Sequence, residues 1–404
     1  MPDKALAGIK VLEWANYISG PYCTKVMADL GAEVIKIEEP GFGDEARQYG
    51  PFLNDNPHLE KSGLFLVLNT NKLGITLNLK TPTGREIFEK LITQSDVFVE
   101  NHPPQEIKDL RLDYDCLNEI NSRIVMTSIT PFGQVGLYKD YKAYDINCSA
   151  AGGVSVGIGE PDREPLVMPA SQGAYLAGIS AAVGTLFALF ARELIGEGQL
   201  VDVSESEVWA NVVTGLNIIT YIYRGVSGIR QGTRTGYAYY PSGTFPCKDG
   251  YMCLTAPQQA QWERFLELMG KPEWAKDPRY TSRRRMNEEI ADECDNLIKP
   301  WLMERTKDEI FALCREYRIP FAPLRTVDEL LNDPQLKERE FFVEVEHQET
   351  GRLRYPGAPF KMSKTPWAIE HAAPFLGEHN EEVFVNRLGY SKEELSTLRK
   401  TGVI

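Results

Sequence analysis

The stretch Leu6–Pro40, LAGIKVLEWANYISGPYCTKVMADLGAEVIKIEEP, decides the fold. Ile9-Lys10-Val11-Leu12 predicts a short strand. Gly20-Pro21 opens a helix running to about Leu30, because proline fits the first helical position, where its missing amide would be unbonded anyway. Gly31 ends the helix, and Val34-Ile35-Lys36-Ile37 predicts a second strand. Such a strand, helix, strand unit implies parallel strands and a right-handed crossover.

The pattern repeats along the chain. Ile75 to Leu79 alternates as a strand, and Thr81-Pro82 caps and opens a helix to about Thr93. Asp96 to Glu100 and Ile124 to Ile129 predict further strands. The N-terminal region is therefore α/β and doubly wound in type. Ala174 to Ala191 is an uncharged run rich in alanine, with Gly178, Ser180, Gly184 and Thr185 among its members. Its length nears that of a membrane span, but small residues suit close packing, so a helix buried all round in a soluble core is expected. Leu200 to Val203 predicts a strand, and Ser204 with Glu207 a capping box for a helix to about Tyr223.

A glycine-punctuated stretch from Gly225 to Gly243 follows, holding Tyr237, Tyr239 and Tyr240. It reads as a linker or a site loop, the tyrosines either lining a pocket or lying on the surface. A smaller α/β unit begins near Thr244, with a turn at Lys248-Asp249-Gly250 and a strand over Tyr251 to Leu254. Helices are expected from Gln261 to Met269, from Asn287 to Ile298 with Pro300 as the stop, and from a Thr306/Glu309 capping box to about Tyr317. Ile319 to Pro323 is expected to return the chain to the first region. The tail carries short strands and a helix from about Lys392 to Arg399 capped by Ser391. The division is thus 1–225 with 320–404 as the large domain and 226–319 as the small one.

Of the 404 residues, 43% are apolar and 25% charged, which excludes disorder, collagen and coiled coil as descriptions of the chain. The net charge of −13 speaks against a nucleic-acid partner. Any anionic ligand needs a local basic pocket. The seven scattered cysteines lack a Cys-x-x-Cys spacing, and the five histidines lack metal-ligand spacing, so inert thiols, a reducing cytoplasmic location and no metal are expected. No export signal is read at the N-terminus, and no membrane association. Gly157-Ile158-Gly159 lacks the third glycine of a dinucleotide fingerprint and reads as a turn. Nucleophile-elbow, P-loop and zinc-protease motifs are missing. The residues by themselves point to a two-domain α/β protein that binds a small molecule.

Several stretches together resemble the family III CoA-transferases, the formyl-CoA, carnitine and bile-acid CoA-transferase group. Besides Leu6–Pro40 they are NKLGITLNLK (Asn71 to Lys80), DVFVEN (Asp96 to Asn101), GEGQLVDV (Gly196 to Val203), GAPF (Gly357 to Phe360) and LGEH (Leu376 to His379). The resemblance implies two protomers interlocked like chain links, each with a Rossmann-like large domain and a small domain. It also implies carboxylate nucleophilic catalysis. An aspartate attacks the donor thioester to form a mixed anhydride. CoA thiolate converts that to an aspartyl-CoA thioester, and the acceptor carboxylate repeats the exchange.

The sequence departs from that pattern where the chemistry sits. The family's aspartate falls on Ala174, so no catalytic residue is expected in this chain. Asp145 falls where the family already carries an acid, and Glu160, Asp162 and Glu164 lie in an expected surface turn. Lys80 and Lys142 match basic CoA-binding positions, and Leu77 and Asn101 match other CoA contacts. Glu39 and Asp109 stand where the family has arginines, and anions beside phosphates oppose binding. The resemblance with these departures implies a non-catalytic subunit whose paralogous partner supplies the aspartate and the CoA site. CoA thioesters are then substrates, and no permanent cofactor is implied. Two alternatives are a homodimeric transferase carrying an aspartate-to-alanine change, and a non-enzymatic binding protein on the same fold.

Overall fold

The computed structural model describes residues 4–228, 230–235 and 239–404. The larger of its two compact units runs to Val154 and resumes over Val167–Gly225 and Gln335–Ile404. Its sheet has six parallel strands, β1 (Lys10–Trp14), β2 (Glu33–Glu38), β3 (Lys72–Thr76), β4 (Val97–Glu100), β5 (Val125–Thr130) and β6 (Leu200–Ser204), ordered 3-2-1-4-5-6. Lys10 pairs with Glu33 and Val11 with Val97, so β1 lies at the centre and the order reverses between β1 and β4. In such sheets the crevice beyond the strand C-termini at that reversal is the usual ligand site.

The α-helices of this unit up to Gly225 are α1 (Ser19–Asp29), α2 (Gly63–Leu68), α3 (Pro82–Ile92), α4 (Pro104–Asp109), α5 (Tyr114–Ile120), α6 (Asp145–Ala151), α7 (Gln172–Ile195), α8 (Glu205–Val208) and α9 (Gly215–Arg224). Thr81 caps α3 by accepting from Gly84 N, as its sequence predicts. One face of the sheet buries Leu12, Ile37, Ile75, Phe88, Phe98 and Met126, and the other Val11, Val34, Val97 and Val125 with Ala177, Ala181 and Ala182 of α7. Gly178 lets α1 and α7 approach closely. A Cβ there would lie 2.6 Å from the Ser19 carbonyl oxygen.

Several local expectations are corrected. The helix α7 is long and apolar enough to cross a membrane, but it is not buried all round. Its alanine face packs on the sheet, while Phe187, Phe190 and Leu194 are exposed. The helix expected after Ser204 is broken. Ser204 Oγ caps α8, a π-turn follows over Trp209–Val213, and α9 starts at Gly215. No residue of α9 is buried. The strand expected from Ile75 to Leu79 ends at Thr76 and begins at Lys72.

The smaller unit comprises Ser155–Leu166 and Val226–Pro334. Its antiparallel sheet joins β7 (Ser242–Cys247), β8 (Gly250–Thr255) and β9 (Ala322–Pro323). Because Ala322 pairs with Cys253, the expected return of the chain near Ile319 does not occur there, and the large unit resumes at Gln335. Pro300 lies inside a helix over Ala291–Met303 and does not stop it. The Thr306/Glu309 box forms in both directions, as does the Ser391/Glu394 box at Lys392–Lys400. Tyr240 is 1% exposed in this unit's core, which removes it as a pocket or surface residue. Tyr239 donates to or accepts from Thr255 Oγ1 at 3.0 Å. Tyr237 lies outside the described residues. Back in the large unit, β10 (Phe342–His347) and β11 (Gly351–Pro356) form a hairpin.

Candidate functional site

The turn from β1 into α1 crosses the C-terminal edge of the sheet, and it is held from beneath by a buried charge array. Glu13 on β1 binds Lys36 of β2 at 2.7 Å and Lys72 of β3 at 2.9 Å, all fully buried. Lys36 Nζ also reaches Asp44 at 2.7 Å and donates to the Ala15 carbonyl at 2.9 Å. Lys72 Nζ donates to the Pro21 carbonyl at 2.9 Å, and Asp44 Oδ1 accepts from Tyr17 N at 2.8 Å. Burial pushes the Glu13 carboxyl up, but Lys36 and Lys72 outweigh it and hold the group down at about 2. Burial pulls Lys72 down to about 8. Charges in an apolar sheet need such partners, so the array fixes the Ala15–Pro21 turn by its own requirement for satisfaction.

The turn leads to the reversal between β1 and β4, where Asn101 bridges the two sides. Its Oδ1 accepts from Asn16 N at 2.8 Å, and its Nδ2 donates to the Asn16 carbonyl at 2.8 Å and to Ser19 Oγ at 3.1 Å. Outside this bridge lies a cleft lined by Trp14, Asn16, Glu39, Glu45, Leu77, Lys80, His102 and Glu106 among others. Trp14 and His102 stack with ring centroids 3.6 Å apart and planes 17° from parallel. His102, its Nδ1 3.7 Å from Glu106 Oε2, holds the Glu106 carboxyl below the usual carboxylate range. Three carboxylates thus share the cleft with Lys80, an arrangement unfavourable to a phosphate chain.

The structure therefore brings Glu39, Leu77 and Lys80 to one cleft, while Asn101 is outside its lining and hydrogen-bonds Asn16 of that lining. It does not bring Lys142 or Asp109 into that cleft's lining. Both are exposed, and Asp109, the last residue of α4, accepts from Gln105 Nε2 at 2.7 Å. Sequence reading missed Trp14, His102 and the Glu13–Lys36–Lys72–Asp44 array. The one available signal for the array was charge at inner positions of otherwise apolar strands.

Ala174 lies in the first turn of α7 and is 7% exposed. Its methyl packs with Ile18 and Leu68, and Tyr17, Tyr22, Leu64 and Tyr175 surround that cluster. Its amide donates to Asp145 Oδ1 at 3.0 Å. Glu205 stands nearby, and burial followed by the Asp145 charge pushes its carboxyl up to about 8. Glu160, Asp162 and Glu164 are exposed in the smaller unit. Burial pushes the Cys23, Cys294 and Cys314 thiols up to about 12, which makes them poor nucleophiles. Among the described residues no group of three His, Cys, Asp or Glu side chains is arranged to hold a metal ion.

Comparison with known proteins agrees with this architecture. The chain is 32% identical to succinyl-CoA–D-citramalate CoA-transferase of Chloroflexus aurantiacus, over 100% of this chain and 99% of that one. It is 34% identical to a formyl-CoA:oxalate CoA-transferase of Escherichia coli, with 99% of each chain covered. A CAIB/BAIF family protein of Brucella suis superposes with a TM-score of 0.85 at 28% identity, over 95% of this chain and 99% of that one. The Rv3272 protein of Mycobacterium tuberculosis superposes with a TM-score of 0.80 at 25% identity, over 94% and 99%. The family model for CoA-transferase family III matches residues 6–380, and the chain belongs to that family.

Proposed function

We propose that this chain is the non-catalytic subunit of a heteromeric family III CoA-transferase. The observation that carries the reading is Ala174, a methyl group in an apolar pocket at the head of α7 where a carboxylate nucleophile is needed. The acidic cleft supports it, because Glu39, Glu45 and Glu106 disfavour a CoA phosphate chain beside Lys80. A paralogous subunit supplies the aspartate and the working CoA site. That subunit's carboxylate attacks the donor thioester, expels CoA thiolate, and then passes through anhydride and thioester stages to the acceptor acid. The assembly is an interlocked dimer with large and small domains, and it resides in the cytoplasm.

The donor is succinyl-CoA and the acceptor an aromatic dicarboxylic acid, (R)-2-benzylsuccinate. This makes the chain one half of the succinyl-CoA:(R)-benzylsuccinate CoA-transferase of anaerobic toluene degradation. The citramalate relative, whose name pairs succinyl-CoA with another dicarboxylic acid, supports that substrate class. The test is a succinyl-CoA to benzylsuccinate exchange assay. The pure chain is expected to be inactive and the mixture with its aspartate-bearing paralogue active. Exchange by the single chain at the rate of the mixture would overturn the reading.

A further inference from the structure

Polar groups from three segments converge over one glycine at the head of α7. A Cβ on Gly173 would lie 2.3 Å from Trp209 Nε1, 2.4 Å from Asp145 Oδ1 and 2.7 Å from Glu205 Oε1. Asp145 opens α6, Glu205 opens α8, and Trp209 begins the π-turn. Glu205 is only 9% exposed and Trp209 fully buried, and neither Glu205 Oε1 nor Trp209 Nε1 has a hydrogen-bond partner. Burial and then the neighbouring Asp145 both disfavour a charge on Glu205.

We propose that the head of α7 is closed by a single proton shared between Glu205 and Asp145, and that its loss at alkaline pH releases α6. Asp145 Oδ1 takes the Ala174 N–H at the positive end of a 24-residue helix. Glu205 keeps the proton, since burial and then Asp145 push it up to about 8. The other facing groups do not compensate a second charge. From α6 come Asp145 and Cys148, whose thiol is pushed far up by burial and Glu205. From the π-turn comes the Trp209 indole. The first turn of α7 carries no acidic side chain, and the first charged side chain of the helix is Arg192.

The sign follows from the raised Glu205 value. Between the ordinary 4.5 and about 8 the folded state holds a proton that the unfolded chain has lost, so stability falls as pH rises through that window. The cluster's loss loosens α6 and the residues leading from it to Val154.

Hydrogen–deuterium exchange on the full chain in its native assembly tests the device, with rates corrected for their intrinsic pH dependence. From about pH 6.5 to about pH 9.5, protection over residues 144–154 is expected to fall roughly tenfold in the unmodified chain and to hold within about twofold in Glu205→Gln, which cannot ionise. Should Glu205→Gln not fold, Asp145→Asn removes the other charge, keeps an acceptor for Ala174 N and should reduce the alkaline loss, the burial of Glu205 keeping part of it. An equal alkaline loss in the unmodified chain and the folded variant, or no alkaline loss in the unmodified chain, would overturn the proposal. The readout involves no transferase activity, so its failure is separate from failure of the proposed function.

Discussion

The Ala174 amide donates to Asp145 Oδ1 at 3.0 Å, so the first turn of α7 is bound to the head of α6 by the backbone of a residue whose side chain is a bare methyl. Position 174 is well placed by the fold and chemically silent. Its surroundings match: Ile18, Leu68 and Tyr17 are groups that suit a methyl and would desolvate a carboxylate.

Ala174→Asp alone is therefore expected not to create a second active site. The new carboxylate needs a CoA thioester beside it, and such positioning supplies about 7–11 kcal/mol of a barrier. Glu39 in the cleft opposes the phosphates that would deliver it. Turnover is measured in a complex whose partner aspartate has been removed. It should stay at background for Ala174→Asp. Adding Glu39→Arg and Asp109→Arg should raise CoA affinity at this chain's own site, with Glu39→Arg giving the larger share, because Asp109 does not line the cleft. Robust activity from Ala174→Asp alone would favour a homodimeric enzyme that carries an aspartate-to-alanine change.

A folded monomer is not expected at micromolar concentration. The exposed side chains include Phe187, Phe190 and Leu194 on α7 and Leu216, Ile219, Ile222 and Tyr223 on α9. Contiguous apolar faces of this kind mark association surfaces. Sedimentation velocity on the purified chain should show dimers or larger species. A single folded monomer species would contradict the interlocked arrangement.

Gly178→Ala should destabilise the large unit by about 1–3 kcal/mol, the range for overpacking. The added methyl meets the Ser19 carbonyl at 2.6 Å and Tyr22 at 3.2 Å, and the former is backbone that moves only with α1. Gly215→Ala is the control, since its methyl would find only the Ala210 carbonyl at 3.8 Å. Thermal denaturation should show a lowered midpoint for the first and an unchanged or higher one for the second.

Glu13→Gln should cost about 3–5 kcal/mol, because it leaves Lys36 and Lys72 buried without their shared counter-ion. The pH dependence has a definite sign. With Glu13 held at about 2 in the folded state against 4.5 ordinarily, its contribution is present above 4.5 and is lost as pH falls toward 2. The unmodified chain should lose stability across that acid window, and the variant should lose less. Urea midpoints at several pH values measure both effects, and equal acid slopes would count against the array.

The sheet was largely legible because its strands and caps are local. Thr81, Thr306 and Ser391 cap the helices their spacing indicates. The break after Val208 was not legible, since the Ser204 to Tyr223 pattern reads as one helix and the π-turn at Trp209 answers to packing against Gly152 and Gly173. Nor was the place of Tyr240, whose ring is decided by Phe245 and Trp262 in the small-unit core.

By itself the sequence determined the parallel α/β frame, the helix that begins beside Ala174, the absence of a carboxylate at that position and the sign of the charge at Glu39. Each is a property of one residue or of a short period, and none depends on what lies opposite. Only the tertiary structure decided which charges meet. It brought Glu13, Lys36 and Lys72 from three strands into one buried array, stacked His102 on Trp14, left Asp109 outside the cleft, and set Glu205 against Asp145 over Gly173. Burial and proximity fix the ionisation of such groups, and both arise from strand order and helix crossing between residues far apart in the chain.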